Sequence, residues 1–189
     1  PDHMLMDMGR VGAAELREAL QSGELDSLPP LLASAVAEAR EVLQTTRDPQ
    51  LCDIVLDRWF YRDMDAVAEA TGSAFLHGYV QVQIDAANLR TLVRTLRMGK
   101  NEEFLRGVLF EGGEISPDAL LAVSAARGGG LAELYAPTRF QTAAEAGVHA
   151  LQGGLLTEFE KRCDDVVGDY LAGALFVPFG EAPLVGYLA

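Results

Sequence analysis

Arg90, Arg94 and Arg97 stand at i, i+4 and i+7 in the 189-residue chain, with Lys100 just past the Gly99 stop. That spacing sets three guanidinium groups along one side of a helix. Arginines in a fixed row are suited to bidentate contacts with acidic or carbonyl groups of a partner. The same cations complement the negative end of their own helix and stand within reach of Glu102 and Glu103. These four residues, Arg90, Arg94, Arg97 and Lys100, are the candidate partner interface.

Other reactive residue types are present without the company that chemistry needs. Asp164-Asp165-x-x-x-Asp169 invites comparison with the aspartate-rich motifs by which all-α prenyl synthases hold magnesium and diphosphate. Such sites need two clusters facing one cavity, and Asp57, Asp63 and Asp65 are too loosely spaced for a second, so a solvated helix face is expected. Glu145-x-x-x-His149 lacks the Glu-x-x-His spacing of helical di-iron sites. His3, His77 and His149 form no ligand cluster, and no serine or cysteine has a base near it in sequence. Gly128-Gly129-Gly130 lacks the lysine of a phosphate loop and fits a helix stop. Asp85 and Asn88, one turn apart, are expected to hydrogen-bond to a neighbouring helix. No catalytic, cofactor or metal residue is assigned.

Fifteen basic against 28 acidic residues give a net charge of −13, which disfavours nucleic acid and anionic lipid as main partners. Hydrophobic residues make up 49% of the chain, enough for a sizeable core. No run approaches the roughly 18 apolar residues of a membrane span, so no direct span is expected. Nothing at the N-terminus resembles a signal peptide. Cys52 and Cys163 fall on apolar helix faces and read as buried thiols of a cytoplasmic chain.

The elements that must position these residues are helices throughout. Asp48-Pro49 is a cap followed by proline at the first helical position. Cys52, Leu56, Trp59, Phe60, Met64 and Val67 then recur at three- and four-residue steps, up to the Gly72 stop. Ser73 caps a second helix that runs to Met98-Gly99, along which Tyr79, Val82, Ala86, Leu89, Val93 and Leu96 form an apolar seam. So short a connection predicts an antiparallel hairpin over 48–100. Leu76, Val80, Ile84 and Ala87 add a second stripe only in the first half, leaving the second half to show a polar face. Trp59 is expected to be buried against a helix over 31–45. Further helices are expected over 9–22, 101–109, from Ser116-Pro117-Asp118 to the Gly128–Gly130 stop, over 131–135 and 141–151, and from Leu156 to about Val177-Pro178. No stretch alternates with strand period, so the class is all-α.

Thr71–Val80 aligns with Phe179–Leu188 at an offset of 108, with five of ten positions identical. Upstream, Leu51, Val55 and Asp57 fall on Phe159, Cys163 and Asp165 without a gap. Gly9-Arg10-Val11 with Leu16 echoes Gly113-Glu114-Ile115 with Leu120 at an offset of 104. The expected organisation is therefore two helical repeats of about a hundred residues, the first over 1–110 and the second, cut short, over 111–189.

The runs DPQLCDIVLDRWFY (48–61), FLHGYVQVQIDAANLRTLVRTLRMGK (75–100) and LTEFEKRCDDVVGDYLAGALFVPFGEAPLVGYL (156–188) carry a resemblance over about residues 9 to 189. The chain resembles the C-type subunits of archaeal and bacterial V-type (A/V) ATPases, which correspond to the d-type subunits of eukaryotic V-ATPases. The pieces that carry it best are Gly78-Tyr79 through Asp85, Asn88, Leu89 and Arg90, and Phe179-Gly180 ahead of Gly186-Tyr187. The resemblance implies an all-helical, non-catalytic coupling subunit with three similar domains around a pseudo-threefold axis, of which this chain matches the second and most of the third. Its implied partners are the central-stalk subunits and the proteolipid ring, on the cytoplasmic face of the membrane, in an ATP-driven proton or sodium transporter. A generic helical scaffold that binds a partner helix in a groove is the alternative.

Overall fold

The computed structural model describes residues 9–177 and 180–188, which form ten helices and no strand. They are α1 Ala13–Ser22, α2 Pro30–Thr46, α3 Pro49–Thr71, α4 Ala74–Arg97, α5 Glu102–Val108, α6 Pro117–Ala125, α7 Leu131–Tyr135, α8 Gln141–Leu151, α9 Leu156–Ala174 and α10 Ala182–Leu188. His3, Pro178, Phe179 and Ala189 lie outside the described residues. The chain divides into two compact units, Pro1–Asp63 and Met64–Ala189, a cut that falls within α3. This division by packing is distinct from the repeat boundary expected at 110/111.

The caps read from sequence set the helix starts. Asp48 Oδ1 accepts from the Gln50 N–H at 2.9 Å, Ser73 Oγ from Leu76 at 3.2 Å and Ser116 Oγ from Ala119 at 3.3 Å. Each satisfies one of the orphan donors of a first helical turn. Gly72 and Gly99, both at φ +65°, close α3 and α4 in a conformation that a side chain would strain.

In the first unit, Ala19, Leu28 and Val36 are buried, with Val11, Leu16, Leu25 and Leu32 against them. Trp59 is directed at α2, where its Nε1–H donates to Glu38 at 2.7 Å. The indole is half-buried rather than enclosed, because its polar edge is spent on a carboxylate at the unit's surface and Arg62 stacks 5.1 Å from its ring centroid.

The second unit is organised around α4. Within the unit its neighbours are α9, α8, α5 and α6. α9 in turn packs against α8 and α10. Leu89, Leu92 and Val93 are wholly enclosed, together with Leu105, Leu120, Leu131, Tyr135, Phe140, Phe159 and Cys163 from the surrounding helices. In the second half of α4, Asn88, Leu92 and Thr95 are buried while Arg94 and Arg97 are exposed, so a buried stripe runs beside the polar one. The sequence pattern missed this because Asn88 and Thr95 are polar yet internally satisfied or enclosed, which hides a buried stripe from a hydrophobicity count.

Candidate partner interface

Two buried polar residues of α4 fix its orientation. Asn88 brackets one peptide unit: its Nδ2 donates to the Phe110 carbonyl at 2.8 Å, and its Oδ1 accepts from the Phe110 N–H at 2.9 Å. Asp85 accepts from the N–H groups of Glu114 at 2.9 Å and Ile115 at 3.1 Å. The two side chains thus hold the turn between α5 and α6 rather than a neighbouring helix. Gly113 lets the turn approach, since a Cβ there would lie 2.4 Å from Asp85 Oδ1. Burial pushes the Asp85 carboxyl above the usual range, opposed by the two backbone donors that favour its charge.

The arginine stripe faces α9. Arg90 pairs with Asp164. Arg94 donates to Glu160 Oε1 from Nε at 2.8 Å and from Nη2 at 2.6 Å. Arg97 donates to the Gly154 carbonyl at 3.2 Å, and Lys100 Nζ lies 5.6 Å from the Phe104 ring centroid. Glu102, expected to pair with the stripe, instead accepts from Arg106 at 3.0 Å. Arg90 is half-buried, whereas Arg94, Arg97 and Lys100 are exposed. Four cations read as one stripe therefore split into two that tie α4 to α9 and two at the open end of the helix.

Around Arg97 and Lys100 lies a cavity of 730 Å³ that also takes in Arg127 from the end of α6 and Leu151 from the end of α8. Arg127 was not singled out from sequence. The glycine run that follows marks only the end of α6, where Arg127 itself sits at φ +53°.

The remaining titratable clusters are engaged locally. Asp164 is held by Arg90, and Asp165 by Lys161 at 2.8 Å. His77 Nδ1 stands 3.5 Å from Asp65. No group of three or more His, Cys, Asp or Glu side chains gathers among the described residues. Both cysteines are free; Cys163 is buried and Cys52 half-buried. Burial pushes the Cys163 thiol up to about 12, with the Arg90 guanidinium a lesser, opposing influence, so it is an inert core thiol. Among the described residues no helix is long and apolar enough to cross a membrane.

The family described as ATP synthase (C/AC39) subunit matches residues 2–189. No curated protein and no solved structure compared gives a match. With the match running through the α4 latch, the α4–α9 ion pairs and α10 alike, the chain belongs to the ATP synthase (C/AC39) subunit family, an accessory rather than a catalytic part of V/A-type ATPases.

Proposed function

We propose that this chain is a coupling subunit of a rotary V/A-type ATPase, joining the central stalk to the proteolipid ring on the cytoplasmic face of the membrane during proton or sodium transport. The observation that carries the reading is the family match across residues 2–189. Torque passed through a non-covalent joint needs a part that deforms little. A helix enclosed on its faces, as α4 is by α9, α8, α5 and α6, meets that need, because densely packed interiors transmit strain. The buried Asp85 and Asn88 bonds to the 110–115 turn add directional restraint to the apolar packing.

In this reading the contact is made at the basic end of α4. Arg97 and Lys100 face the partner, while Arg90 and Arg94 support them from behind through their α9 acids. The two repeats expected over 1–110 and 111–189 are then neighbouring domains of the coupling subunit. Affinity purification of the tagged chain from native membranes tests the role. Recovery of both stalk and proteolipid subunits is the expected result. Recovery of a helical partner unrelated to the ATPase, with neither stalk nor ring, would leave a generic helical adaptor instead.

A further inference from the structure

We propose that the cavity at the end of α4 docks an acidic peptide segment of a partner subunit, an inference that rests on the coupling role and adds the chemistry of the contact. Arg97, Lys100 and Arg127 line it, and the single acid among its lining residues, Glu102, is held by Arg106. None of the three cations has an acidic partner among the described residues. Elsewhere in the same unit Arg90, Arg94, Arg106 and Lys161 each hold one, while Arg139, over the Tyr170 ring, and Arg162 pair with none among the described residues and do not line the cavity.

Shortage of acid does not explain this. Met64–Ala189 carries 16 acidic and nine basic side chains, so three cations gathered without an acid stand against the composition. Nor do the helix dipoles absorb them. α4, α6 and α8 end at the cavity, and three C-termini supply together roughly one and a half negative charges, which three cations exceed.

Arg127 is placed at the cavity by the end of α6, as Arg47 is placed by the end of α2. It holds a left-handed backbone at φ +53°, a conformation that favours glycine or asparagine. The 730 Å³ volume lies within the roughly 300–1,000 Å³ of ligand sites and is many times that of one inorganic anion. Cations set at and just beyond the ends of two helices, Arg97 and Lys100 by α4 and Arg127 by α6, suit a row of carboxylates better than a single phosphate. In a chain of net charge −13, such a patch also steers an acidic segment to one place on an otherwise repulsive surface.

The test uses this chain and the triple variant Arg97→Glu/Lys100→Glu/Arg127→Glu, with unchanged helicity and melting confirmed first. An octaglutamate peptide is titrated onto each by calorimetry, with inorganic phosphate and octalysine as comparison probes. Expected is octaglutamate binding that weakens with salt and falls by about tenfold or more in the variant. Equal binding to both chains, or phosphate binding as tightly as octaglutamate, overturns the docking site. If the variant fails to fold, the single Arg127→Gly exchange, which also relieves the backbone, must weaken octaglutamate binding, and unchanged binding overturns the proposal. Assembly of the parent chain with purified stalk and ring subunits is measured alongside. Failure of the parent to assemble removes the coupling role and leaves the peptide titration to decide the site. Assembly of both parent and variant removes the site and leaves the role.

Discussion

Ser73 and Glu181 stand 108 residues apart and meet directly, the Ser73 hydroxyl donating to the Glu181 carboxylate. They are also the paired positions of the sequence match at that offset. Each immediately precedes a helix, α4 starting at Ala74 and α10 at Ala182, and each follows a left-handed glycine, Gly72 at φ +65° and Gly180 at φ +98°. A second matched pair, Gly78 and Gly186, meets successive residues of α9. A Cβ at Gly78 would lie 2.3 Å from the Tyr170 hydroxyl, and one at Gly186 would lie 2.8 Å from the Leu171 carbonyl oxygen. Two helix starts of similar sequence thus use the same small residue to approach one helix.

Gly78→Ala is expected to displace Tyr170, which donates to the Phe75 carbonyl at 2.8 Å and stacks on Phe75. Loss of that bond and the added crowding should cost about 1–3 kcal/mol in urea unfolding. Gly186→Ala meets backbone, which cannot rotate away, and should cost at least as much. Variants that unfold with the parent would show that the approach is looser than the geometry states.

Helix positions were legible in the sequence because caps and stops are local. Asp48-Pro49, Ser73, Ser116-Pro117 and Gly72 each act within a turn of their own position. Which helices pack on α4 was not. The apolar seam from Tyr79 to Leu96 marks a buried face without naming its partner, and α9 lies far along the chain. The site was legible in type only: Arg90 and Arg94 were visible as cations, but Asp164 and Glu160 become their partners solely through the fold. Arg127 was hidden because one arginine before a glycine run has no periodicity.

Asp85→Ala should be among the costliest single changes in α4. It leaves the Glu114 and Ile115 N–H groups without their acceptor, at about 1–3 kcal/mol for a buried unsatisfied donor. Asn88→Ala strips both groups of the Phe110 peptide and should cost a similar amount. Chemical denaturation at neutral pH measures both. Amide exchange at Glu114 and Ile115 should quicken in the Asp85 variant alone.

Asp85 and Glu181 should pull the pH dependence in opposite directions. Burial, the larger influence, raises the Asp85 pKa above 3.8. Its contribution to stability is therefore complete below that unfolded value and is lost as pH rises through the folded one. The Ser73 bond lowers the Glu181 pKa below 4.5, so its contribution is present above 4.5 and lost as pH falls through the folded value. Unfolding free energies of the parent and Asp85→Asn, measured from pH 3 upward, should diverge on the Asp85 side. Parallel curves would show that Asp85 keeps an ordinary pKa.

Trp59→Phe should remove the indole donor to Glu38 while keeping most of the ring's packing, at about 1 kcal/mol. Trp59→Ala should cost roughly 2 kcal/mol, less than a fully enclosed tryptophan, because the side chain is only half-buried. Thermal melts of the two variants, set beside Glu38→Ala, separate the bond from the packing.

Reversing Arg90 and Arg94 to glutamate should now destabilise the chain as well as alter any partner contact. Each new carboxylate would face an acid of α9, Asp164 or Glu160, instead of a free surface. The Arg94 pair is partly exposed, with side-chain exposures of 52% and 25%, so screening limits its loss to about 1 kcal/mol or less. The less exposed Arg90 should contribute the larger share. Adding Asp164→Arg and Glu160→Arg rebuilds both pairs with opposite polarity and should restore most of the melting temperature. If the fourfold variant regains stability yet fails to bind stalk or ring, the arginines serve the partner as well as α9. If it regains both, Arg90 and Arg94 hold the two helices together and nothing more.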